Sequence, residues 1–311
     1  MGPVNLGYDV EMPELPDVLL YRARIEERVL GQSVREIWVR SISVLKTFEP
    51  KPTEITDRSC VGVSRLGKRI VLQFEGEFSA VIHPMIAGRF AWDDAKKPKP
   101  RDRDTQFGID FPNGRLMLKE FGHKKRSQLH LFRDPESLET LRRGGLDVFT
   151  ASPADFETRL KAENRTVKRR LTDPDAFDGI GNAYSDEILW QAGISPVKLT
   201  ASLDSEICAR LLESARSTLS RWIAELDRSI PGFPSPRQVT AFRPDFGVHG
   251  RAGLPCPRCG HTVQKIVFAE NECNYCAVCQ NGGVVLADRS LSRLLKDDWP
   301  RSIEDWEQKF S

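Results

Sequence analysis

The sequence predicts an α+β chain, in which a helix and a β-sandwich half precede a helical half that ends in a zinc-ribbon finger. Three observations predict this order. Apolar residues step by three or four near the start, alternate from about residue 33 to 133, and step by three or four again after Gly144-Gly145. Five of the seven cysteines then crowd into one short stretch, Cys256, Cys259, Cys273, Cys276 and Cys279.

Taken in order, Pro16 followed by Val18, Tyr21, Ile25 and Val29 predicts a helix opened by proline and stopped at Gly31. Ile70, Leu72 and Phe74 alternate with Val71, Gln73 and Glu75, as a strand requires. Asn113-Gly114 between alternating apolar positions predicts a hairpin. Asp93 to Asp104 is charged and proline-bearing, a loop with no core to offer. Val167 and Leu171 start a helix broken by Pro174, and a second follows Asn182 to end at Gly193. Leu203, Ile207, Leu211, Ala215, Leu219, Trp222 and Leu226 mark a long amphipathic helix. Ser302-Ile303-Glu304-Asp305 is a capping box for a last short helix.

The 311 residues, 40% hydrophobic and 29% charged, suffice for two modest cores, or one large one with a small appendage. No apolar run approaches the ~20 residues of a membrane span, and Met1 to Glu11 lack the pattern of a secretory signal. A cytoplasmic, nucleoid-associated monomer without a membrane partner or small-molecule cofactor is expected. The net charge of +2 excludes a strong global field, so affinity for nucleic acid has to come from local patches. Arg165, Lys168, Arg169 and Arg170 form one such patch, and Lys124, Lys125 and Arg126 another. On charge alone, either is equally an ordinary solvated face.

Cys256-Pro-Arg-Cys259 and Cys276-Ala-Val-Cys279 are two C-x2-C pairs separated by 16 residues. Two such knuckles complete a tetrahedral thiolate site for one structural zinc ion. Cys273-Asn-Tyr-Cys276 is a competing pair, but the symmetric assignment keeps the longer hairpin and leaves Cys273 as a hairpin residue. A zinc hairpin alone does not imply DNA binding.

Four stretches in one order resemble the formamidopyrimidine-DNA glycosylase and endonuclease VIII family. They are Met12-Pro-Glu-Leu-Pro-Asp-Val18, Leu66-Gly-Lys-Arg69, Gly179-Ile-Gly-Asn-Ala-Tyr-Ser-Asp-Glu187, and Val248-His-Gly-Arg-Ala-Gly-Leu-Pro-Cys256 through to Cys279-Gln280. The resemblance implies a helix and β-sandwich domain, a helix–two-turn–helix domain and a zinc finger, with damaged double-stranded DNA held in the cleft between domains. Its implied boundaries are an extension at 1–11, a catalytic domain at 12–140, a DNA-binding domain at 150–250, the finger at 251–285 and a tail at 286–311. It further implies that Pro13 is the nucleophile, that Glu14 is the acid beside it, and that Lys68 reaches the DNA backbone near the lesion. Asn182 and the amides around Gly181 match a phosphate grip at a helix start, with Lys168 in the same region. Met85 matches a wedge residue that fills the gap left by a flipped-out base.

The sequence departs from that pattern in three places. Pro13 follows twelve residues, and an internal proline nitrogen is a tertiary amide with no nucleophilic lone pair. Met12 is therefore expected to be the true start, trimmed to free Pro13. In the finger, the family's phosphate-gripping arginine is replaced by Asn271, between Glu270 and Glu272. The paired arginines before Phe-Gly are also missing, and Glu120-Phe-Gly-His-Lys-Lys-Arg126 stands there, with Phe121 and Lys124 as candidate substitutes. Asp17 stands where a glutamate is usual.

The expected function is a bifunctional DNA glycosylase and abasic-site lyase of base excision repair, acting through a proline Schiff base and β/δ-elimination. The Leu15-Pro16 form points to oxidised purines such as 8-oxoguanine and formamidopyrimidines. The rivals are a non-catalytic damage-binding protein of the same fold and a zinc-ribbon protein-interaction module.

Overall fold

The computed structural model describes residues 12–94, 97–240, 242–268, 271–287 and 299–310. The expected extension at 1–11 and residues 288–298 of the expected tail lie outside the described residues. The chain forms two compact units, one joining the chain up to Arg143 with Trp222–Ala241, the other joining Gly144–Arg221 with the chain from Phe242. Among the described residues no helix is long and apolar enough to cross a membrane.

In the first unit α1 spans Leu15–Val29, with extended Glu14 as its N-cap and a proline in its first turn. Gly31 follows it with φ 73°, a backbone region that glycine enters without strain. Two antiparallel four-stranded sheets come next. One runs in the order β1 (Glu36–Val39), β6 (Thr105–Phe111), β7 (Gly114–Glu120), β5 (Gly88–Asp93). The other runs β2 (Cys60–Leu66), β3 (Arg69–Phe74), β4 (Phe78–His83), β8 (Gln128–Phe132). Their apolar residues, among them Phe90, Phe107 and Leu118 from the first sheet and Leu72, Ile82 and Leu131 from the second, share one core with Val18, Tyr21, Ile25 and Val29 of α1. Burying that stripe fixes α1, and with it the residues at its start.

Two details differ from a simple alternating pattern. Val71 is buried rather than solvent-facing, because it packs with Leu66, Val81, Leu138 and Leu141 on the outer side of its sheet. Leu138 lies on a short helix, α2 (Pro135–Glu139), that follows β8. The β6–β7 hairpin turns on Pro112-Asn113, one residue earlier than the Asn-Gly signal, since Phe111 pairs with Gly114. Gly114 is needed for packing: a Cβ there would lie 2.1 Å from the Trp92 ring.

The second unit is helical. It holds α3 (Pro153–Lys161), α4 (Val167–Leu171), α5 (Asn182–Ala192) and most of α6 (Ser205–Ser229). α3 went unread in the sequence, although Ser152-Pro-Ala-Asp155 is a start signal: Ser152 accepts from the Asp155 N–H at 3.1 Å. Gly193 ends α5 at φ 64°. The last eight residues of α6, from Trp222, belong to the first unit, where buried Arg24 donates to Ile230 O at 3.0 Å and Asp227 O at 3.1 Å, satisfying carbonyls at the helix end, and to Asp227 Oδ1 at 2.7 Å.

The finger pairs β9 (Gln264–Phe268) with β10 (Asn271–Tyr275) and adds α7 (Ala277–Asn281). A last helix, α8 (Ile303–Phe310), starts where the capping box predicts, with Ser302 Oγ accepting from the Asp305 N–H at 3.1 Å. Ile303, Trp299 and Trp306 pack against Ile266 and Tyr275 of the hairpin. Glu307 accepts from the Thr262 N–H and Oγ1–H, both at 2.9 Å, beside the first cysteine knuckle.

Gly114→Ala is expected to destabilise the first unit by about 1–3 kcal/mol through the clash with Trp92. Thermal melting checks this, and an unchanged midpoint would remove the packing explanation.

Candidate functional site

Pro13 and Glu14 sit at the foot of α1, both buried, with Glu14 only 2% exposed. Asp17, in place of the usual glutamate, reaches back so that Oδ2 accepts from the Glu14 N–H at 3.0 Å. The shorter side chain thus still closes a capping interaction and orients the Glu14 backbone. Pro13 is joined through its nitrogen to Met12, so in the chain as written that nitrogen carries no available lone pair.

Lys68 lies half-buried in the two-residue turn Gly67-Lys68 between β2 and β3. Gly67 has φ 63°, as the first central position of the common hairpin turns requires. Behind it stands His83 at the end of β4, which the sequence reading missed. Burial pushes the His83 imidazole down to about 3, and the charges of Arg69, Lys68 and His130 push the same way. His130 falls to about 4 by burial and by Arg69 and Lys46. Lys68, Arg69 and Lys46 thus gather positive charge around the two imidazoles, a place suited to an anion. The only sequence signal was the position of His83 directly before Pro84-Met85.

Met85 follows β4 at φ 56°, uncommon for a non-glycine residue and a mark of a held turn. Buried Arg89 holds it, with Nη1 donating to Ile86 O at 2.9 Å and Nε to Val239 O at 2.7 Å. Gly88 is obligatory, since a Cβ would meet Pro84 O at 2.1 Å. In the β7–β8 connection Phe121 and Lys124 are exposed. Buried Glu120 anchors that segment by accepting from the Arg126 N–H at 2.7 Å and Ser127 Oγ–H at 2.7 Å.

In the second unit Asn182 is the first residue of α5 and Gly181 its N-cap. Lys168 does not stand out as a solvated phosphate contact. Its Nζ pairs with the buried carboxylate of Asp186 and donates to Asn182 O at 3.2 Å. Asp186 also bonds His249 Nδ1 at 2.8 Å and accepts from the Asn274 N–H at 3.0 Å. Burial pushes the Asp186 carboxyl up, but Lys168 and then His249 outweigh it and hold the group below its usual range. Neighbouring Glu187 accepts from the N–H groups of Gly247 at 2.7 Å and of Val248 and His249 at 2.9 Å. Asp186 and Glu187 were quoted in the sequence only as the end of a motif, and their burial inside a helical face was the missed signal.

The Sγ atoms of Cys256, Cys259, Cys276 and Cys279 all lie within 4.8 Å of one another. Cys256 and Cys279 are 3.9 Å apart, and Cys259 and Cys276 are 3.4 Å apart. A tetrahedron of thiolates at the zinc–sulfur distance has edges of about 3.8 Å, so the four residues fit the ion. Cys273 is outside this set, buried in the hairpin core with Ile266 and Tyr275. Asn271 opens β10 opposite Phe268, while its side chain and residues 269–270 lie outside the described residues.

The pattern of the formamidopyrimidine-DNA glycosylase N-terminal domain matches residues 12–122, that of its H2TH domain matches 147–231, and that of a zinc finger found in FPG and IleRS matches 253–282. The chain belongs to the formamidopyrimidine-DNA glycosylase family. Formamidopyrimidine-DNA glycosylase of Lactococcus lactis subsp. cremoris is 28% identical over 275 residues, covering 86% of this chain and 99% of the relative. That of Chloroflexus aurantiacus is 29% identical over 278 residues, covering 86% and 98%. A Lactococcus lactis FPG variant in complex with Fapy-dG-containing DNA superposes with a TM-score of 0.77 at 27% identity, covering 86% of this chain and all 100% of that one. MutM in complex with carbocyclic 8-oxo-G-containing DNA gives 0.75 at 25%, over the same shares. As a family member the protein is a DNA glycosylase of base excision repair, α+β in fold, with a zinc-finger motif whose four cysteines converge.

The depressed imidazole of His83 makes a pH prediction. A neutral histidine in the fold adds stability that is present above the reference value of 6.5 and is lost as pH falls towards about 3. His83→Gln is expected to flatten the fall in melting temperature below pH 6.5, and an unchanged acid limb would contradict the assignment.

Proposed function

We propose that this protein is a bifunctional DNA glycosylase and abasic-site lyase whose nucleophile is the amino-terminal nitrogen of Pro13. The observation that carries the reading is the placement of Pro13-Glu14 at the buried start of α1, where the family pattern also begins, at residue 12. The family pattern, whose match begins at residue 12, supports a functional start at Met12, trimmed to Pro13.

With Pro13 free, its secondary amine attacks C1′ of the damaged nucleoside, the glycosidic bond breaks and the base departs. Glu14 donates a proton to the sugar ring oxygen as the ring opens, leaving an iminium between Pro13 and C1′. Loss of a C2′ proton then expels the 3′ phosphate, and a second elimination expels the 5′ phosphate. Lys68 binds the backbone at the lesion, and Met85 on its Arg89-held turn enters the space left by the extruded base. The amides at the start of α5, with Asn182, receive a phosphate, and the position of Asn271 lies at the finger tip. The residue Lys168 acts here by holding Asn182 in place. The four cysteines hold a structural zinc ion, which fixes the finger and takes no part in the chemistry.

For substrate, the names of the relatives and the Fapy-dG and 8-oxo-G DNA bound in two of the similar structures support oxidised purines, while a third similar structure holds oxidised-pyrimidine DNA. A damage-binding protein of the same fold requires Pro13 to remain internal. Borohydride trapping on an abasic-site duplex separates the two. A covalent adduct is expected from a chain beginning at Pro13, lost from the chain that keeps residues 1–12 and so ties up the Pro13 nitrogen in an amide, and reduced at least ~100-fold in Glu14→Gln. No adduct with tight binding retained would overturn the lyase reading.

A further inference from the structure

A second basic site lies in the first unit, sharing no residue with the one around Pro13. It is a pocket of about 310 Å³, walled by the end of β1, the segment entering β6 and the β7–β8 connection. Four cationic side chains line it, Arg40, Arg101, Arg103 and Lys125, against one lining carboxylate, Asp102. Asp102 is engaged with the start of β6, its Oδ1 accepting from the Thr105 N–H at 2.8 Å and its Oδ2 from Lys119 at 3.3 Å. Among the described residues no ion pair is recorded for Arg101, and Arg103 lies 3.9 Å from Asp104 while 92% exposed. Lys125 is paired with Asp104 at 3.1 Å and Arg40 donates to Asp102 O at 3.1 Å, so the cations offered to a ligand are Arg101 and Arg103, whose guanidinium groups match phosphate oxygens in pairs.

A second, independent feature says that the ligand is more than an anion. Gln106 lines the same pocket and is 2% exposed. Its Nε2 donates to Asp104 O at 2.9 Å, which fixes how the amide is turned. Its Oε1 then has no donor among the described residues, though it is shut away from solvent. A buried acceptor left empty calls for a partner, and the phosphodiester of a DNA backbone carries no hydrogen to give. A nucleobase does, through its amino or imino N–H.

We propose that this pocket receives a deoxynucleotide of the bound DNA, its phosphate on Arg101 and Arg103 and its base N–H on Gln106 Oε1. The proposal rests on the glycosylase reading, because extruding a damaged base leaves its partner nucleotide unpaired and free to be gripped. Two strands can supply the nucleotide. The complementary strand is expected, since Lys125 belongs to the segment that replaces the family's paired arginines.

The test uses binding alone, on a duplex with a tetrahydrofuran abasic analogue, so failure of the lyase chemistry would not be mistaken for failure of this site. Single methylphosphonate linkages, which remove one phosphate charge, are placed in turn along each strand. One position is expected to weaken the wild-type protein roughly tenfold while leaving Arg101→Ala/Arg103→Ala unaffected there. Coupling in either strand supports the site and identifies its source. At that nucleotide, removing the base is expected to weaken the wild type severalfold and to have no effect on Gln106→Met. Phosphate coupling without a base effect reduces the pocket to a backbone clamp and overturns the nucleotide assignment. Absence of coupling at every position of both strands overturns the site.

Discussion

The buried carboxylate of Asp186 is the interaction on which the second unit depends. It takes Lys168 from α4, His249 from the segment before the first zinc knuckle and the Asn274 N–H from the finger hairpin. Three separate pieces of chain thus meet on one side chain of α5. Removing a partner from such a pair typically costs about 3–5 kcal/mol, because a charge is left buried and alone. Lys168 also bonds the carbonyl of Asn182, so the same network orients the start of α5, where backbone donors are unsatisfied within the helix. The metal knuckles and the helix start are positioned by one shared constraint.

The first unit works differently. There the apolar stripe of α1 against both sheets holds Pro13 and Glu14, and polar side chains only trim the ends. Turns then carry the rest of the proposed chemistry. Lys68 sits after a glycine with φ 63°, Met85 itself takes φ 56°, and Arg89 and Glu120 bind the flanking segments from inside. This division between a rigid core and pinned turns is what precise placement of reacting groups requires.

Much of this was legible in the sequence. Period-specific apolar patterns marked α1, the strands and α6, because burying one face of an element leaves a trace at 3.6 or 2 residues. The two C-x2-C pairs named all four converging cysteines, since knuckle geometry is local. What could not be read depends on contacts far apart in the chain. Val71 looked solvent-facing until Leu138 and Leu141 covered it, and Lys168 looked like surface charge until Asp186 claimed it. Gln106 gave no signal at all, because an empty acceptor appears only when its surroundings are known.

The account turns on a free amine at Pro13, and the intact mass of the protein made from its own gene tests that most directly. The mass of a chain beginning at Pro13 is predicted. A mass that retains Met12 or anything before it, in protein that still forms the covalent adduct, would contradict the proline nucleophile.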